Sequence, residues 1–160
     1  GLSTVILRYF NCYGPREFPG KYRNVIPNFL YTALCGQPLK ITGNGEETRD
    51  FCYVTDLVDG TILAAEYQGD SAEIFNISGG RPTRILELAK KINDLTGNPG
   101  GIAIEGRRTW DHVVHRQPST GKAGEQLGYS PTTSLDVGLK HTLAWMKTQM
   151  DDIPAQIDHA

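Results

Sequence analysis

Side chains with hydrogen-bond donors stand at the ends of several apolar runs in this sequence. Asn11 follows the run VILRYF, Asn24 precedes an apolar helical pattern, and Arg49 lies beside another apolar run. A guanidinium group is a rigid fork of donors that matches phosphate oxygens. Arg49 and Arg108, which are well separated in the chain, are therefore candidate donors to a diphosphate. For either arginine alone, a surface ion pair such as Arg49 with Asp50 is the alternative.

Several nucleotide-binding, metal-binding and hydrolase motifs are absent. The segment GNGEET has Thr48 where a GxGxxG loop needs its third glycine, and it precedes a strand pattern instead of opening a helix. The sequence also has no GxxxxGK[ST], HExxH or GxSxG motif. His112 and His115 lie near Asp111 without a further ligand pair, so polar surface residues are a better interpretation than zinc ligands. We therefore predict no metal site.

Composition excludes other classes of function. The 160 residues carry a net charge of −2 and no block of like charge, which argues against nucleic acid or an acidic membrane as partner. No apolar run approaches the length of a membrane span, and the first residues lack a signal-peptide pattern. Cys12, Cys35 and Cys52 form no CxxC pair, which predicts reduced, buried thiols in a cytoplasmic protein.

Strand and helix patterns alternate along the chain, which indicates an α/β or α+β domain. Strands are predicted at 4–10, LKIT, DFCYV, 73–78 and IAIEG. Helices are predicted at 24–36, 57–67 and 84–97, through KAGEQLG, and at 134–150. Thr55 or Asp56, Thr83 and Ser134 are the candidate helix caps. The domain is expected to cover 1–150, followed by a frayed tail at 151–160.

Four blocks, taken in order, resemble the extended short-chain dehydrogenases/reductases that act on nucleotide sugars. They are RYFNCYGPR, NVIPNFLYTALCGQPLKITGNGEETRDFCYVTDLVDG, FNISGG, and RRTWD followed by KAGEQLGYSP. The resemblance is to the carboxyl-terminal half of that family and is nearest to the UDP-glucose 4-epimerase group. It implies an α/β fold comprising the last Rossmann strand, VILRYF, and a substrate-binding part with a small mixed sheet and flanking helices.

The catalytic elements of that family do not occur in this sequence. Family members carry a glycine-rich NAD loop and a YxxxK motif in their first half, and no tyrosine here has lysine four positions later. The resemblance therefore implies a fragment that lacks catalytic residues, is inactive alone, and has the absent N-terminal Rossmann half as its partner. NAD is the implied cofactor of the complete enzyme. Because family members commonly dimerise, a homodimer is a further expectation.

The resemblance also implies roles for individual residues near the end of the first strand. Tyr9 and Phe10 are expected to lie along the nicotinamide of NAD. Asn11 is expected to bind the sugar diphosphate, and Asn24 is expected to donate to a phosphate oxygen. These donors suit a ligand that carries two negative phosphoryl groups.

The remaining implied contacts involve the base, the diphosphate and the ribose. Backbone groups of Lys40 and Thr42 are expected to face the base. Arg49 and Arg108 are expected to grip the diphosphate, while Asp111 accepts a hydrogen bond from a ribose hydroxyl. Together with Asn11, Asn24 and His115, these residues make up the expected substrate site.

His115 departs from the pattern of the best-known 4-epimerases, which have an aromatic residue four positions after the aspartate. An imidazole can donate a hydrogen bond as a phenol does, but the difference leaves the sugar open. The implied reaction is transient oxidation at sugar C4 by NAD, followed by return of the hydride. The alternatives are half of a 4,6-dehydratase or of a uronate decarboxylase, and a nucleotide-binding module without catalysis.

Overall fold

A computed structural model describes residues 4–69, 72–106 and 115–153. These ranges form nine short strands, five α-helices and one terminal 3-10 turn, which confirms the predicted α/β class. The strands are β1 (Val5–Tyr9), β2 (Cys12–Tyr13), β3 (Leu39–Thr42), β4 (Thr48–Asp50), β5 (Cys52–Tyr53), β6 (Glu73–Ile77), β7 (Pro82–Arg84), β8 (Ile102–Glu105) and β9 (His115–Arg116). The helices are α1 (Val25–Leu34), α2 (Val54–Ala65), α3 (Ile85–Thr96), α4 (Gly121–Leu127) and α5 (Leu135–Thr148).

The strands associate as four small sheets. Three parallel pairs join β1 to β6, β2 to β5 and β3 to β8. The fourth sheet is mixed, since its central strand β4 runs antiparallel to β7 and parallel to β9. The predicted strand DFCYV is divided between β4 and β5. None of the described helices is long and apolar enough to cross a membrane.

Two apolar clusters hold these layers together. In the larger one, α1, α3 and α5 bury Leu30, Leu88 and Met146 with the strand residue Ile41. In the smaller one, α2 and α4 cover one face of the β1–β6 pair, where Phe75 is 1% exposed. The predicted apolar stripe of α3 supplies Leu88, Ala89 and Ile92 to the larger core.

Two of the predicted helix caps are wrong and one is confirmed. Helix α2 begins at Val54, and neither Thr55 nor Asp56 caps it, because Asp56 is buried and accepts hydrogen bonds from Thr132 and Thr133. Thr83 lies in β7 and does not cap α3. The Ser134 hydroxyl accepts the first-turn amide of α5 as predicted, at 3.4 Å.

The cysteines are free thiols in different environments. Burial raises the pKa of Cys52 to about 12, and it also raises the pKa of the half-buried Cys12. The prediction of a buried thiol is wrong for Cys35, which is exposed because it follows the last turn of α1. At the other end of the chain, Ile153 is 6% exposed and packs into the larger core, so the packed chain extends into the segment predicted as a tail.

Candidate functional site

A cleft of about 750 Å³ lies between the beginning of α1, strand β3 and the mixed sheet. Residues that are far apart in the sequence meet in its wall. Five of the residues predicted to bind substrate line the cleft: Asn11, Asn24, Lys40, Thr42 and Arg49. A second hollow of about 310 Å³ lies apart from these residues, between α3 and the segment 131–136. The larger cleft is therefore the candidate site.

Asn11 joins the end of β1 to the neighbouring strands. Its backbone has a left-handed conformation with φ of 37°, which asparagine tolerates better than most residues. Its side-chain amide donates to the Asp50 carbonyl at 2.9 Å, and its own carbonyl accepts from the Cys52 amide at 3.2 Å. The amide donor predicted to bind a diphosphate is thus engaged with the backbone of β4 in this structure.

Asn24 precedes the first turn of α1 and secures the loop that enters the helix. Its side-chain amide donates to the Cys12 carbonyl at 3.1 Å and to Glu17 Oε1 at 2.8 Å. Burial raises the pKa of Glu17, and the hydrogen bond from Asn24 partly offsets that effect. No side-chain hydrogen bond caps α1, and Val25 and Asn28 near its start line the cleft. The amino end of a helix carries a partial positive charge that favours an anion.

Asn28 is a cleft residue that the sequence reasoning missed. Its side-chain oxygen accepts from the Gly20 amide at 2.8 Å, and its amide donates to the Gly20 carbonyl at 3.1 Å. This reciprocal pair fixes the loop from which Lys21 and Arg23 reach the cleft. The available signal was its spacing of four residues from Asn24, which puts both amides on one face of the helix.

Strand β3 presents backbone groups to the cleft side. The Leu39 amide donates to the Gly101 carbonyl and the Gly43 amide donates to the Glu105 carbonyl, so the odd-numbered positions face β8. Backbone groups of a strand alternate in direction, and those of Lys40 and Thr42 therefore point away from β8. Within the described residues, β3 pairs with β8 alone, which leaves these groups for a ligand.

The cleft is positively charged although the whole chain is not. Its acidic lining residues are Glu47 and Glu105, and its basic lining residues are Lys21, Arg23, Lys40, Arg49 and Arg116. Glu105 lies 3.2 Å from Lys40 and neutralises that lysine. With a chain net charge of −2, this local excess of positive charge favours an anionic ligand.

Arg49 lies on the central strand of the mixed sheet, where its side chain is held in place. Its Nη1 donates to the Thr48 carbonyl at 2.9 Å. The other predicted diphosphate ligand, Arg108, and the predicted ribose ligand, Asp111, lie outside the described residues. The positions of those two side chains stay predictions.

His115 is not among the residues that line the cleft, and its predicted contact with the substrate stays a prediction. Its Nδ1 lies 3.0 Å from the Thr48 hydroxyl, and Thr48 is also its register partner across the β4–β9 pair. Strand side chains alternate between faces, so the following residue, Arg116, shares a face with Arg49. Arg116 does line the cleft. The alternation is the signal that the sequence reasoning missed.

Tyr9 and Phe10, the predicted nicotinamide contacts, lie at the carboxyl end of β1 and outside the cleft wall. Tyr9 is 49% exposed, and its hydroxyl lies 2.9 Å from the Thr61 hydroxyl on α2. Phe10 donates its amide to the Ile77 carbonyl at 3.3 Å. Among the described residues β1 has only β6 as a neighbour, so its other edge is open.

Asp50 follows Arg49 in β4, so its side chain lies on the opposite face of the strand. Its side chain is completely buried, and burial raises its pKa, while the Ser78 hydroxyl and the nearby backbone amides of 79–81 lower it in part. The same loop packs closely against Phe51, the residue between β4 and β5, since a Cβ at Gly79 would overlap the Phe51 carbonyl oxygen. The described residues contain no cluster of His, Cys, Asp and Glu that could hold a metal ion.

This chain is similar in sequence to a known protein family and to individual proteins of known activity. Residues 1–78 match the model of the NAD dependent epimerase/dehydratase family. UDP-N-acetyl-alpha-D-glucosaminuronate decarboxylase of Bacillus cytotoxicus is 36% identical over 157 residues, which cover 95% of this chain and 49% of that protein.

Two solved structures are similar over most of this chain. UDP-glucose 4-epimerase of Thermotoga maritima, solved with UDP-glucose, is 36% identical with a TM-score of 0.85 over 91% of this chain and 46% of its own. UDP-glucuronic acid 4-epimerase of Bacillus cereus, solved with UDP-glucuronic acid and NAD, is 32% identical with a TM-score of 0.80. The match covers 90% of this chain and 45% of that one. The chain spans about half the length of these relatives; its residues 1–78 belong to the NAD dependent epimerase/dehydratase family, and the similarity to epimerases and decarboxylases extends over most of the chain.

Proposed function

We propose that this chain is the substrate-binding half of an NAD-dependent nucleotide-sugar epimerase similar to UDP-glucose 4-epimerase. The observation that carries the proposal is the cleft, whose wall combines five predicted substrate residues with an excess of basic side chains. A nucleotide sugar has a diphosphate that needs donors and cations, and a base that needs backbone partners. The cleft offers both, on different walls.

The ligand would lie across the cleft with its diphosphate at the mixed sheet. Arg49 would donate to phosphate oxygens, and the uncapped amides at the start of α1 would add their partial positive charge. The base would pair with the outward backbone groups of Lys40 and Thr42. The sugar would then extend toward Asn11, at the end of β1.

The nicotinamide of NAD would lie at the end of β1. Tyr9 presents an exposed aromatic side chain there, and aromatic rings pack against flat heterocycles such as nicotinamide. When bound, NAD would supply the acceptor and donor of hydride for the sugar. The role of this chain would be to orient the nucleotide sugar, with Arg49 fixing its diphosphate.

The absent N-terminal Rossmann half would be the partner that completes the enzyme. The open edge of β1 could accept its next strand, and the adjacent sheet face carries Ile6 and Ile74, which are 50% and 39% exposed. Ile6 and Ile74 are register partners on the same face, opposite the one covered by α2 and α4. An apolar face of this kind is stabilised when another layer covers it.

Uronate decarboxylation is the second candidate. Its support comes from the 36% identical relative, which is a decarboxylase, and from the positive cleft, which also suits a carboxylated sugar. The two reactions differ in products and not in the diphosphate contacts. The role proposed for Arg49, which is to bind the diphosphate, is therefore the same in both candidate reactions.

The reaction is tested by turnover of the complete protein with NAD. We expect UDP-glucose to be converted to its C4 epimer without release of carbon dioxide, monitored by NMR of the sugar. Carbon dioxide and a UDP-pentose formed from UDP-glucuronic acid would favour the second candidate. The 160-residue chain alone should produce neither product. Absence of both reactions in the complete protein would overturn the enzymatic proposal in favour of a binding module.

A further inference from the structure

We propose that Arg116 is a ligand-binding residue of the cleft and that it clamps a diphosphate together with Arg49. The inference rests on the proposed function and deepens it, because it assigns a second guanidinium group to the anion site. Both side chains line the same cleft. Neither the motif pattern nor the helix and strand periodicity singled out Arg116.

The register of the mixed sheet places the two arginines side by side. In the parallel β4–β9 pair, Thr48 lies opposite His115 and Arg49 lies opposite Arg116. Neighbouring strands are about 4.8 Å apart, and residues in register project from the same face. Two guanidinium groups thus project from adjacent positions toward one cleft, at a separation that suits the two phosphoryl groups of a diphosphate.

Two like charges directly opposite each other on neighbouring strands destabilise the strand pair unless an opposite charge lies close to them. Two nearby basic residues have acidic partners. Lys40 Nζ lies 3.2 Å from Glu105 Oε1, and Arg84 Nε lies 3.3 Å from Glu46 Oε2. Arg116 shows no hydrogen bond or ion pair to a side chain within residues 4–69, 72–106 and 115–153. An anion bound at Arg116 would supply the counter-charge that this side chain lacks among the described residues.

A diphosphate is favoured over a sugar carboxylate by the position of the pair. Arg49 and Arg116 line the cleft together with Asn11 and with Lys40 and Thr42 of β3. In the proposed pose the base pairs with β3 and the sugar extends toward Asn11, so the diphosphate lies at the two arginines. In a nucleotide sugar, the diphosphate occupies the middle and the sugar lies at one end. The clamp is therefore expected to act equally on ligands with and without a carboxylated sugar.

The test compares Arg116→Gln with Arg84→Gln in the 160-residue chain. Each variant loses one positive charge from the mixed sheet, but Arg84 is in register with Thr48, so it projects from the face away from Arg49. Calorimetric titration with UDP, UDP-glucose and UDP-glucuronic acid should show about tenfold weaker binding of all three to Arg116→Gln. Arg84→Gln should bind like the unmodified chain, and both variants should keep its circular dichroism spectrum.

Two results would overturn the clamp: equal affinities of Arg116→Gln and Arg84→Gln for all ligands, or a loss confined to UDP-glucuronic acid. Inorganic pyrophosphate separates this failure from failure of the proposed function. If the unmodified chain binds pyrophosphate in an Arg116-dependent manner but binds no UDP-sugar more tightly, the clamp stands and the nucleotide-sugar assignment fails. If UDP-sugars bind normally to Arg116→Gln, only the clamp fails.

Discussion

Replacement of Arg49 by glutamine is expected to weaken UDP-glucose binding about a hundredfold, equal to about 2.7 kcal/mol. The expected loss is larger than for Arg116 because Arg49 is half-buried on a central strand, where water screens its charge less. Its hydrogen bond to the Thr48 carbonyl also holds the guanidinium in place before the ligand arrives. Calorimetric titration of the variant and the unmodified chain measures the change.

Arg84→Gln is the matched control for this experiment as well. Arg84 is an exposed arginine of the same sheet, and its partner is Glu46 at 3.3 Å. A loss of affinity in both variants would indicate a general effect of charge. Unchanged affinity of Arg49→Gln, with an unchanged melting temperature, would remove Arg49 from the binding site.

The largest expected effect on stability comes from Asp56→Ala. Asp56 is 3% exposed and accepts four hydrogen bonds, from the backbone amides and the hydroxyls of Thr132 and Thr133, at 3.0 to 3.2 Å. Removal of the carboxylate leaves these donors without their acceptor. We expect the free energy of unfolding to fall by about 3–5 kcal/mol, measured by urea denaturation.

Asp59→Ala provides the control, because Asp59 is an exposed aspartate on the same helix. Its loss should change the free energy of unfolding by no more than about 0.5 kcal/mol. If the two variants unfold at the same urea concentration, the link from α2 to the segment before α5 contributes nothing measurable. The fold would then depend on apolar packing alone in this region.

Local patterns predicted most of the secondary structure, and long-range contacts explain the errors. The apolar stripe of α3 was visible in the sequence because helix periodicity depends only on neighbours within a few turns. Asp56 looked like a helix cap because its partners stand 76 and 77 residues later in the chain. Local reasoning has no access to such partners, and it also left DFCYV as one strand.

In the candidate site, too, some residues could be predicted from the sequence and others depend on long-range strand pairing. Resemblance selected Asn11, Asn24, Lys40, Thr42 and Arg49, which the fold brings to one cleft. The sequence did not reveal that β9 pairs in parallel with β4, and this register decides which side chain of the pair His115 and Arg116 faces the cleft. A two-residue strand is too short for its alternation to be recognised without its partner.

The binding of a nucleotide sugar in the larger cleft can be observed directly by titrating UDP-glucose into the ¹⁵N-labelled 160-residue chain and following backbone amide shifts. We predict saturable shifts at the start of α1, at Lys40 and Thr42 in β3, and at Arg49 and Arg116 in the mixed sheet. Shifts confined to the second hollow, around 131–136, or no shifts at millimolar ligand, would be incompatible with a nucleotide-sugar site in this cleft.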